Sequence, residues 1–120
     1  MTNVENSINY IEFPMTDPEA VIMFYETVFG WTFQRWGDDY ISFNGAEVEG
    51  GFNRQADVNT GRSGALVILY TNNLEKKLDQ IKVAGGTIVE DIYAFPGGRR
   101  FHFADPSGNE LAVWSQPASD

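Results

Sequence analysis

The chain has 120 residues, 42% of them apolar and 14% aromatic, which is the composition of a globular protein and not of a disordered one. Eight basic and 17 acidic residues give a net charge of −9, and no apolar run is long enough to cross a bilayer, so we expect neither nucleic acid nor a membrane as a partner. Cysteine is absent, which excludes disulfides and thiolate chemistry, and the opening residues lack a secretory signal, so we expect a cytoplasmic protein.

The first half of the chain predicts a strand, a helix and three further strands. The alternating segment SINYIEFPM is typical of a strand, and WTFQRW, YISFN and EVEGGFNR predict three short strands after the helix. Asp17 followed by Pro18 favours a helix start and Gly30 favours its end, so we expect a helix near residues 17–29. The pair Gly50-Gly51 indicates a bulge or a close approach of the backbone to another element.

The second half repeats this order of signals. GALVILY predicts a strand, and GTIVEDIY, RRFHFA and ELAVW predict three more. Between them, Asn72 or Asn73 favours a helix start, so a helix is expected near residues 73–84. A shift of 56 positions places Asp17 on Asn73 and Gly30 on Gly86, while polar QADVNTGRSG separates the halves. We therefore expect an α+β fold in which two βαβββ modules, at about residues 7–54 and 63–116, make one domain.

Three stretches carry a resemblance to a known family. The stretches TDPEAVIMFYETVFGW, NNLEKKLDQIKVAGGTIVED and FADPSGNELAVW occur in the order typical of the vicinal oxygen chelate superfamily, which includes glyoxalase I, the bleomycin-resistance proteins and extradiol dioxygenases. The chain resembles this family over nearly its full length. The resemblance implies a cupped mixed sheet with helices on its outer face. It also implies a divalent metal held by the first and last strands of each module.

The positions that the family uses for metal ligands are unusual in this chain. By family spacing the first ligand falls at Tyr10, the third at Ala65 or Leu66, and the fourth at Ala112. The second falls within EVEGGFNR, where the open candidates are Glu47, Glu49, Gly50, Gly51 and Phe52. Alanine and leucine offer no donor atom, so we expect no metal cofactor. A divalent metal held partly by Glu47 or Glu49 stays open.

The final hairpin predicts a polar face. If Ala104 pairs with Glu110, then His102 lies opposite Ala112 and Arg100 opposite Trp114. The residues left for the helix side are Phe101, Phe103, Leu111 and Val113. The family's ligand parity turns Tyr10 and Glu12 of the first strand, which neighbours the last strand in the family, toward the same cavity. We therefore expect one cup, walled by the DPSGN hairpin, whose ligand-binding residues are Tyr10, Glu12, Phe52, Arg100, His102 and Trp114.

Two of these residues are also candidate acid–base groups. His102 is the single histidine and Glu12 lies between two apolar residues, so either could take or give a proton. Each has a structural interpretation as well. A lone strand histidine is more often a hydrogen-bonded structural residue, Glu12 could be an exposed residue of an edge strand, and Trp114 could belong to the core.

Three functions follow from these residues. The first is a metal-free protein of the glyoxalase and bleomycin-resistance type that binds a small organic molecule in the cup. The second is a lyase, isomerase or dioxygenase-like enzyme with a displaced metal or an acid–base site at Glu12 and His102. The third is a structural interaction domain whose cup is filled by its own side chains. We also expect a homodimer, because cupped modules leave edges and apolar faces to cover.

Overall fold

The computed structural model describes residues 4–6, 8–55 and 65–117, and in these ranges two helices and eight strands follow the predicted order. Their bounds are β1 Tyr10–Pro14, α1 Pro18–Phe29, β2 Thr32–Arg35, β3 Tyr40–Asn44, β4 Glu49–Asn53, β5 Val67–Tyr70, α2 Leu74–Val83, β6 Thr87–Phe95, β7 Gly98–Ala104 and β8 Glu110–Ser115. The α+β fold of two βαβββ modules is therefore confirmed. Positions 7, 63 and 64 at the expected module limits, and most of the segment QADVNTGRSG, lie outside the described residues.

Each module forms its own four-stranded mixed sheet. The first has the strand order β1-β4-β3-β2 and the second the order β5-β8-β7-β6. In both, the first and last strands of the module run parallel and the remaining neighbours run antiparallel. β1 therefore lies beside β4 and not beside β8, so the expectation that the first strand neighbours the last one is wrong.

The matched helix starts of the two modules are confirmed. Asp17 precedes α1 and accepts a hydrogen bond from the backbone N–H of Glu19 at 3.1 Å. Asn73 precedes α2 and accepts one from the N–H of Lys76 at 3.1 Å. Each side chain satisfies a backbone donor that the first turn leaves open, which is why these two residues fix the helix starts.

The glycines at the ends of the two helices are required for different physical reasons. Gly30 ends α1 with a φ of 73°, the left-handed conformation that glycine adopts at little cost. In the second module the positive φ of 103° belongs to Gly85, one residue before the predicted equivalent. Gly86 is required for packing instead, because a Cβ there would lie 2.6 Å from Ile81 and 2.9 Å from the ring of Phe24.

Helix α1 packs against both sheets. The ring centroid of Tyr25 lies 5.1 Å from that of Phe52 in the first sheet, and Phe24 lies 5.8 Å from Phe103 in the second. Helix α2 packs on the second sheet through the buried Leu74 and Ile81. One apolar face of each sheet is thus covered by helix, and the opposite face is left for polar and aromatic side chains.

Candidate functional site

The uncovered face of the second sheet carries the predicted polar residues in the predicted register. His102 lies opposite Ala112 and Arg100 opposite Trp114, as the hairpin pairing requires. Paired residues of neighbouring strands point to the same side, so β5 and β6 add further members. We call this surface the second-module face; its members are Ile68, Tyr70, Glu90, Tyr93, Phe95, Arg100, His102, Glu110, Ala112 and Trp114.

His102 is the centre of a buried polar network on this face. Its side chain is only 2% exposed and that of Glu110 only 6%, and Nδ1 of the histidine lies 3.0 Å from Oε2 of the glutamate. Nε2 lies 2.9 Å from the hydroxyl of Tyr93, and Nε of Arg100 donates to that same hydroxyl. One assignment of the protons accounts for all three contacts: Arg100 donates to Tyr93, Tyr93 donates to Nε2, and Nδ1–H donates to Glu110.

Four side chains follow one another in this network, from the buried Glu110 through His102 and Tyr93 to Arg100. Both ring nitrogens of His102 have a partner inside the network, so neither is available to a ligand in a cavity. Tyr93, half-buried and stacked on the imidazole with ring centroids 5.8 Å apart, joins His102 to Arg100. A proton transfer that involves Nε2 of His102 therefore goes through the tyrosine hydroxyl.

A cavity of about 340 Å³ opens beside this network. Its walls are Ile68, Phe95, Gly97, Arg100 and Trp114. The guanidinium carbon of Arg100 lies 5.6 Å from the centre of the Phe95 ring, and the centroids of Phe95 and Trp114 are 6.3 Å apart. The cavity thus has two aromatic walls and one cation at its side, a combination that suits an organic ligand.

A second, larger cavity of about 410 Å³ lies where β5 approaches the first module. Its lining includes Ile11 of β1, Trp31 and Phe43 of the first-module core, and the four successive residues of β5. Successive strand residues point to opposite sides, so a cavity that touches all four lies along the strand edge. It contains no member of the buried His102 network.

Tyr10 and Glu12 lie on the uncovered face of the first sheet. The hydroxyls of Tyr10 and Tyr40 are 2.6 Å apart, and Asn53 donates to Glu12 at 3.4 Å. Burial, followed by the hydrogen bonds with Tyr10 and Glu12, raises the pKa of Tyr40 well above its usual value. We call this surface the first-module face; its members are Tyr10, Glu12, Tyr40, Ser42, Gly51 and Asn53.

The hydrogen bonds on each face stay within its own sheet. Those given above for Tyr10 and Glu12 lie in the first sheet, and those of His102 lie in the second. This agrees with the strand order, since β1 and β8 belong to different sheets. A single cup shared by Tyr10, Glu12 and His102 stays a prediction.

Phe52 lies on the covered side of its sheet. It is completely buried, and its ring stacks on Phe13 and packs against Tyr25, each with centroids 5.1 Å apart. A contact between Phe52 and a ligand on the uncovered face therefore has no support. Glu49, one of the open candidates for the second metal ligand, pairs with Tyr10 at the edge of the first-module face and is exposed.

Two of the four positions that the family uses for metal ligands have no donor atom in this chain. Ala112 is fully buried, and neither Ala65 nor Leu66, just before β5, has a side-chain oxygen or nitrogen. Tyr10 and one of Glu47 and Glu49 are the donors left at the other two positions, which are too few for a site of three or four protein ligands. Over residues 4–6, 8–55 and 65–117, no three histidine, cysteine, aspartate or glutamate side chains form a group able to hold a metal.

Tyr93, Glu110 as the partner of His102, and Phe95 are the site residues that the sequence does not identify. Glu90 pairs with His102 and Tyr93 pairs with Arg100, so residues three apart on one strand share a face. Register shifts in the β6–β7 ladder make this possible, and simple alternation would place them on opposite sides. The RRFHFA and ELAVW alternation did signal that Glu110 and His102 share a face.

Comparisons with known proteins agree with this architecture. The family model described as the glyoxalase/bleomycin resistance protein/dioxygenase superfamily matches residues 7–113. A glyoxalase-related enzyme from Fulvimarina pelagi is 19% identical with a TM-score of 0.74, the alignment covering 92% of this chain and 88% of that one. A comparison with curated proteins found no match.

Two further solved structures share the fold. A glyoxalase/bleomycin resistance protein/dioxygenase family enzyme from Burkholderia phytofirmans is 16% identical, with a TM-score of 0.76 and coverage of 92% of this chain and 98% of that chain. The fosfomycin resistance protein FosX from Listeria monocytogenes is 13% identical, with a TM-score of 0.77 and coverage of 93% and 94%. At these identities the likeness establishes the fold alone. Within the described residues, no helix is long and apolar enough to span a membrane.

Proposed function

The chain belongs to the glyoxalase/bleomycin resistance protein/dioxygenase superfamily, and from this premise we propose that it binds a small organic molecule on the second-module face, without a metal. The observation that carries the proposal is the 340 Å³ cavity walled by Phe95, Trp114 and Arg100. Aromatic walls bury the apolar body of a ligand, and the adjacent cation fixes its orientation.

The buried network beside the cavity supports a binding role. Glu110 and His102 hold the hydroxyl of Tyr93 in place, and Tyr93 in turn fixes Nε of Arg100. A side chain that is already ordered before the ligand arrives loses less entropy on binding. The network therefore preorganises the cation that lines the cavity.

The donor set supports a metal-free state. Ala112, Ala65 and Leu66 have no donor atom, and both nitrogens of His102 are bound within the protein. Metal analysis of the purified protein should give far less than one equivalent, and added Zn²⁺, Ni²⁺, Mn²⁺ or Fe²⁺ should leave its melting temperature unchanged. One equivalent of tightly bound metal would contradict this part of the proposal.

The binding proposal is tested by a thermal-shift screen of small organic compounds followed by calorimetry. Trp114→Ala should weaken the binding of a compound found in the screen by about tenfold or more, because an aromatic wall of the cavity is lost. Met23→Ala, at a residue that is 66% exposed on α1, is the matched control and should leave affinity unchanged. A broad screen without a binder would favour the structural interaction domain instead.

A second candidate function is acid–base catalysis, and the Tyr93–His102–Glu110 chain is the observation that favours it. Tyr93 can pass its hydroxyl proton to Nε2 of His102 while its oxygen takes a proton from a bound substrate. The substrate is then an anion, the tyrosine is again neutral, and the imidazolium is held by Glu110. Glu12 has no part in this step because it lies on the other sheet.

Proton exchange tests this candidate without a known product. Nuclear magnetic resonance in D₂O would follow the loss of protons next to the carbonyl group in a panel of keto acids. Exchange with the wild-type protein that disappears in Tyr93→Phe would support catalysis. Exchange that is absent, or equal in both proteins, would leave binding as the proposed function.

We also propose a homodimer in the cytoplasm, in which each first-module face lies opposite the partner's second-module face. Trp36, 58% exposed, reaches Ser42 of the first-module face, and Tyr70, 48% exposed, lies on the second-module face. Pairing the faces would cover both aromatic patches. A cysteine-free chain has no disulfide that requires an oxidising compartment, which supports the cytoplasm.

Sedimentation velocity at micromolar concentration tests this assembly. The wild-type protein should sediment as a dimer, Trp36→Glu and Tyr70→Glu should each shift it toward the monomer, and Met23→Glu on α1 should not. A wild-type protein that sediments only at the monomer mass would refute the dimer, and an effect of Met23→Glu alone would place the interface elsewhere.

A further inference from the structure

Within the part of the chain that the structure describes, Arg100 forms a hydrogen bond through one of its three side-chain nitrogens. Nε donates to the hydroxyl of Tyr93, and among the described residues neither Nη1 nor Nη2 has a hydrogen-bond partner. The guanidinium lies over the rings of Tyr93 and Phe95, 5.4 Å and 5.6 Å from their centres. The side chain is therefore fixed at its inner nitrogen, while its terminal pair is left for a partner from outside the described structure.

Arg99, the neighbour of Arg100 on β7, has the carboxylate partner that Arg100 lacks among the described residues. Arg99 precedes Arg100 on β7, so it points to the other side of the sheet. Both of its terminal nitrogens donate to the carboxylate of Glu75, at 2.6 Å and 3.3 Å. The two arginines can therefore be compared directly. The terminal nitrogens of Arg99 bind a carboxylate of the protein, and among the described residues those of Arg100 do not.

The surroundings of Arg100 explain why the missing partner should be an anion. Among the described residues Arg100 has no carboxylate partner, and it is partly buried beside aromatic rings, whereas Lys76 and Lys82, which also have none, are exposed to water. Glu110, a carboxylate on the same face, is bound to His102. An uncompensated guanidinium beside aromatic walls favours a negatively charged group, which it can bind through two parallel hydrogen bonds.

We propose that the ligand of this cavity is an aromatic organic acid, whose carboxylate binds Nη1 and Nη2 of Arg100 and whose ring packs against Phe95 and Trp114. This inference rests on the proposed binding function and adds the class of the ligand. The rings of Phe95 and Trp114 are tilted by 59° with centroids 6.3 Å apart, so they form two inclined aromatic walls, against which an aromatic body can pack face to face on one and edge to face on the other. The guanidinium suits a carboxylate because its fork matches the two oxygens.

Calorimetry with matched pairs of compounds tests the inference. The probes are benzoate, naphthoate and indole acetate, each compared with its neutral amide of the same shape. At least one acid should bind the wild-type protein, and its amide should bind about tenfold or more weakly, because a charge-assisted bidentate pair is lost. Arg100→Gln should remove this preference, and Arg100→Lys should keep only part of it, since a lysine has the charge without the fork. Arg99→Gln should leave the binding of every probe unchanged.

The outcomes distinguish a failure of the proposed ligand class from a failure of the proposed binding function. Acids and amides that bind equally well, with no effect of Arg100→Gln, would overturn the acid class while the binding function stands. If no probe and no compound of the screen binds, both are overturned. Binding of inorganic phosphate as strongly as of naphthoate would show an anion site to which the aromatic walls contribute nothing, which would also overturn the inference. Melting curves of both Arg100 variants confirm that the fold is kept.

Discussion

Tyr25 donates a hydrogen bond of 2.9 Å to the carboxylate of Asp105, although the two residues are 80 positions apart and belong to different modules. Both side chains are buried, and burial raises the pKa of the tyrosine well above its usual value, so the phenol stays protonated and remains the donor. The DPSGN turn is therefore a junction between the modules, while the strands of the same hairpin carry Arg100 and Trp114 of the cavity wall.

The other residues of the turn also form hydrogen bonds with the first module. Asn109 donates from its side chain to the carbonyl oxygen of Pro14 at 2.7 Å, and Ser107 accepts from the backbone N–H of Thr16 at 2.9 Å. Asp105 also accepts from the backbone N–H groups of Ser107 and Asn109, which closes the turn on itself. The turn thus holds its own shape and grips the segment between β1 and α1.

The first prediction concerns the bond between the modules. Tyr25→Phe should lower the free energy of unfolding by about 1–2 kcal/mol, because a buried carboxylate oxygen loses a donor while the ring packing is kept. Urea denaturation followed by circular dichroism measures the change. Tyr70→Phe is the control, since that hydroxyl is exposed and bonds only locally to Asn72, and it should change stability by less than about 0.5 kcal/mol. Equal effects of the two variants would contradict the junction role.

The second prediction is a pH dependence that arises from Asp105. Burial raises the pKa of this carboxyl above its ordinary 3.8, more than the donors around it lower it. A raised pKa means that the folded chain binds the proton more tightly than the unfolded one. This contribution to stability is fully present below pH 3.8 and is lost as the pH rises through the raised value.

Asp105→Asn removes that titration and so isolates it. The stability of the wild type minus that of the variant should decrease as the pH rises from 3.8 through the raised value, whatever its sign at the start. Unfolding curves recorded for both proteins across this range give the difference directly. A difference that grows with pH would mean that the four donors around the carboxylate outweigh its burial.

The β7–β8 register and both helix starts could be predicted because local signals determine them. The DPSGN turn fixes which residues of RRFHFA and ELAVW face each other, and Asp17 and Asn73 each cap their own helix. Local rules of this kind act over a few residues, so one sequence suffices. The position of Arg100 opposite Trp114 belongs to this class.

The relation between the modules could not be predicted from the same signals. Whether β1 lies beside β4 or beside β8 depends on packing between distant parts of the chain, which no periodicity records. The position of Tyr93 was also out of reach, because shifts in the β6–β7 ladder break the alternation on which face assignments depend. As a result, the predicted site contained His102 and Arg100 but lacked the tyrosine that joins them.

The third prediction uses the Gly50-Gly51 pair, where the expected close approach of the backbone is present. A Cβ on Gly50 would collide with the carbonyl oxygen of Ile11 on the paired strand and with the ring of Phe43. A Cβ on Gly51 would meet the hydroxyl groups of Tyr10 and Tyr40, which are the ends of side chains that can move. Gly50→Ala should therefore cost about 2 kcal/mol or more, and Gly51→Ala clearly less.

Thermal or urea unfolding of the two variants side by side checks this order. Gly51→Ala should in addition separate the two tyrosine hydroxyls, which would be visible as a change in tyrosine absorbance at alkaline pH. If Gly51→Ala proves the more damaging of the two, the first-module face is more rigid than its contacts indicate.

The last prediction concerns the buried pair of His102 and Glu110. Their atoms Nδ1 and Oε2 are 3.0 Å apart with side chains 2% and 6% exposed, so little water screens the interaction. Removing one partner leaves the other buried without its main contact, which is more costly than removing both. A double-mutant cycle of His102→Gln and Glu110→Gln at neutral pH should therefore give a coupling energy of about 1–3 kcal/mol.

The pair of Arg99 and Glu75, with side chains 34% and 61% exposed, provides the control, because solvent screens it and its coupling should be much smaller. A His102–Glu110 coupling no larger than that of the exposed pair would show that the buried network does not order this face, and the preorganisation of Arg100 through Tyr93 would lose its physical basis.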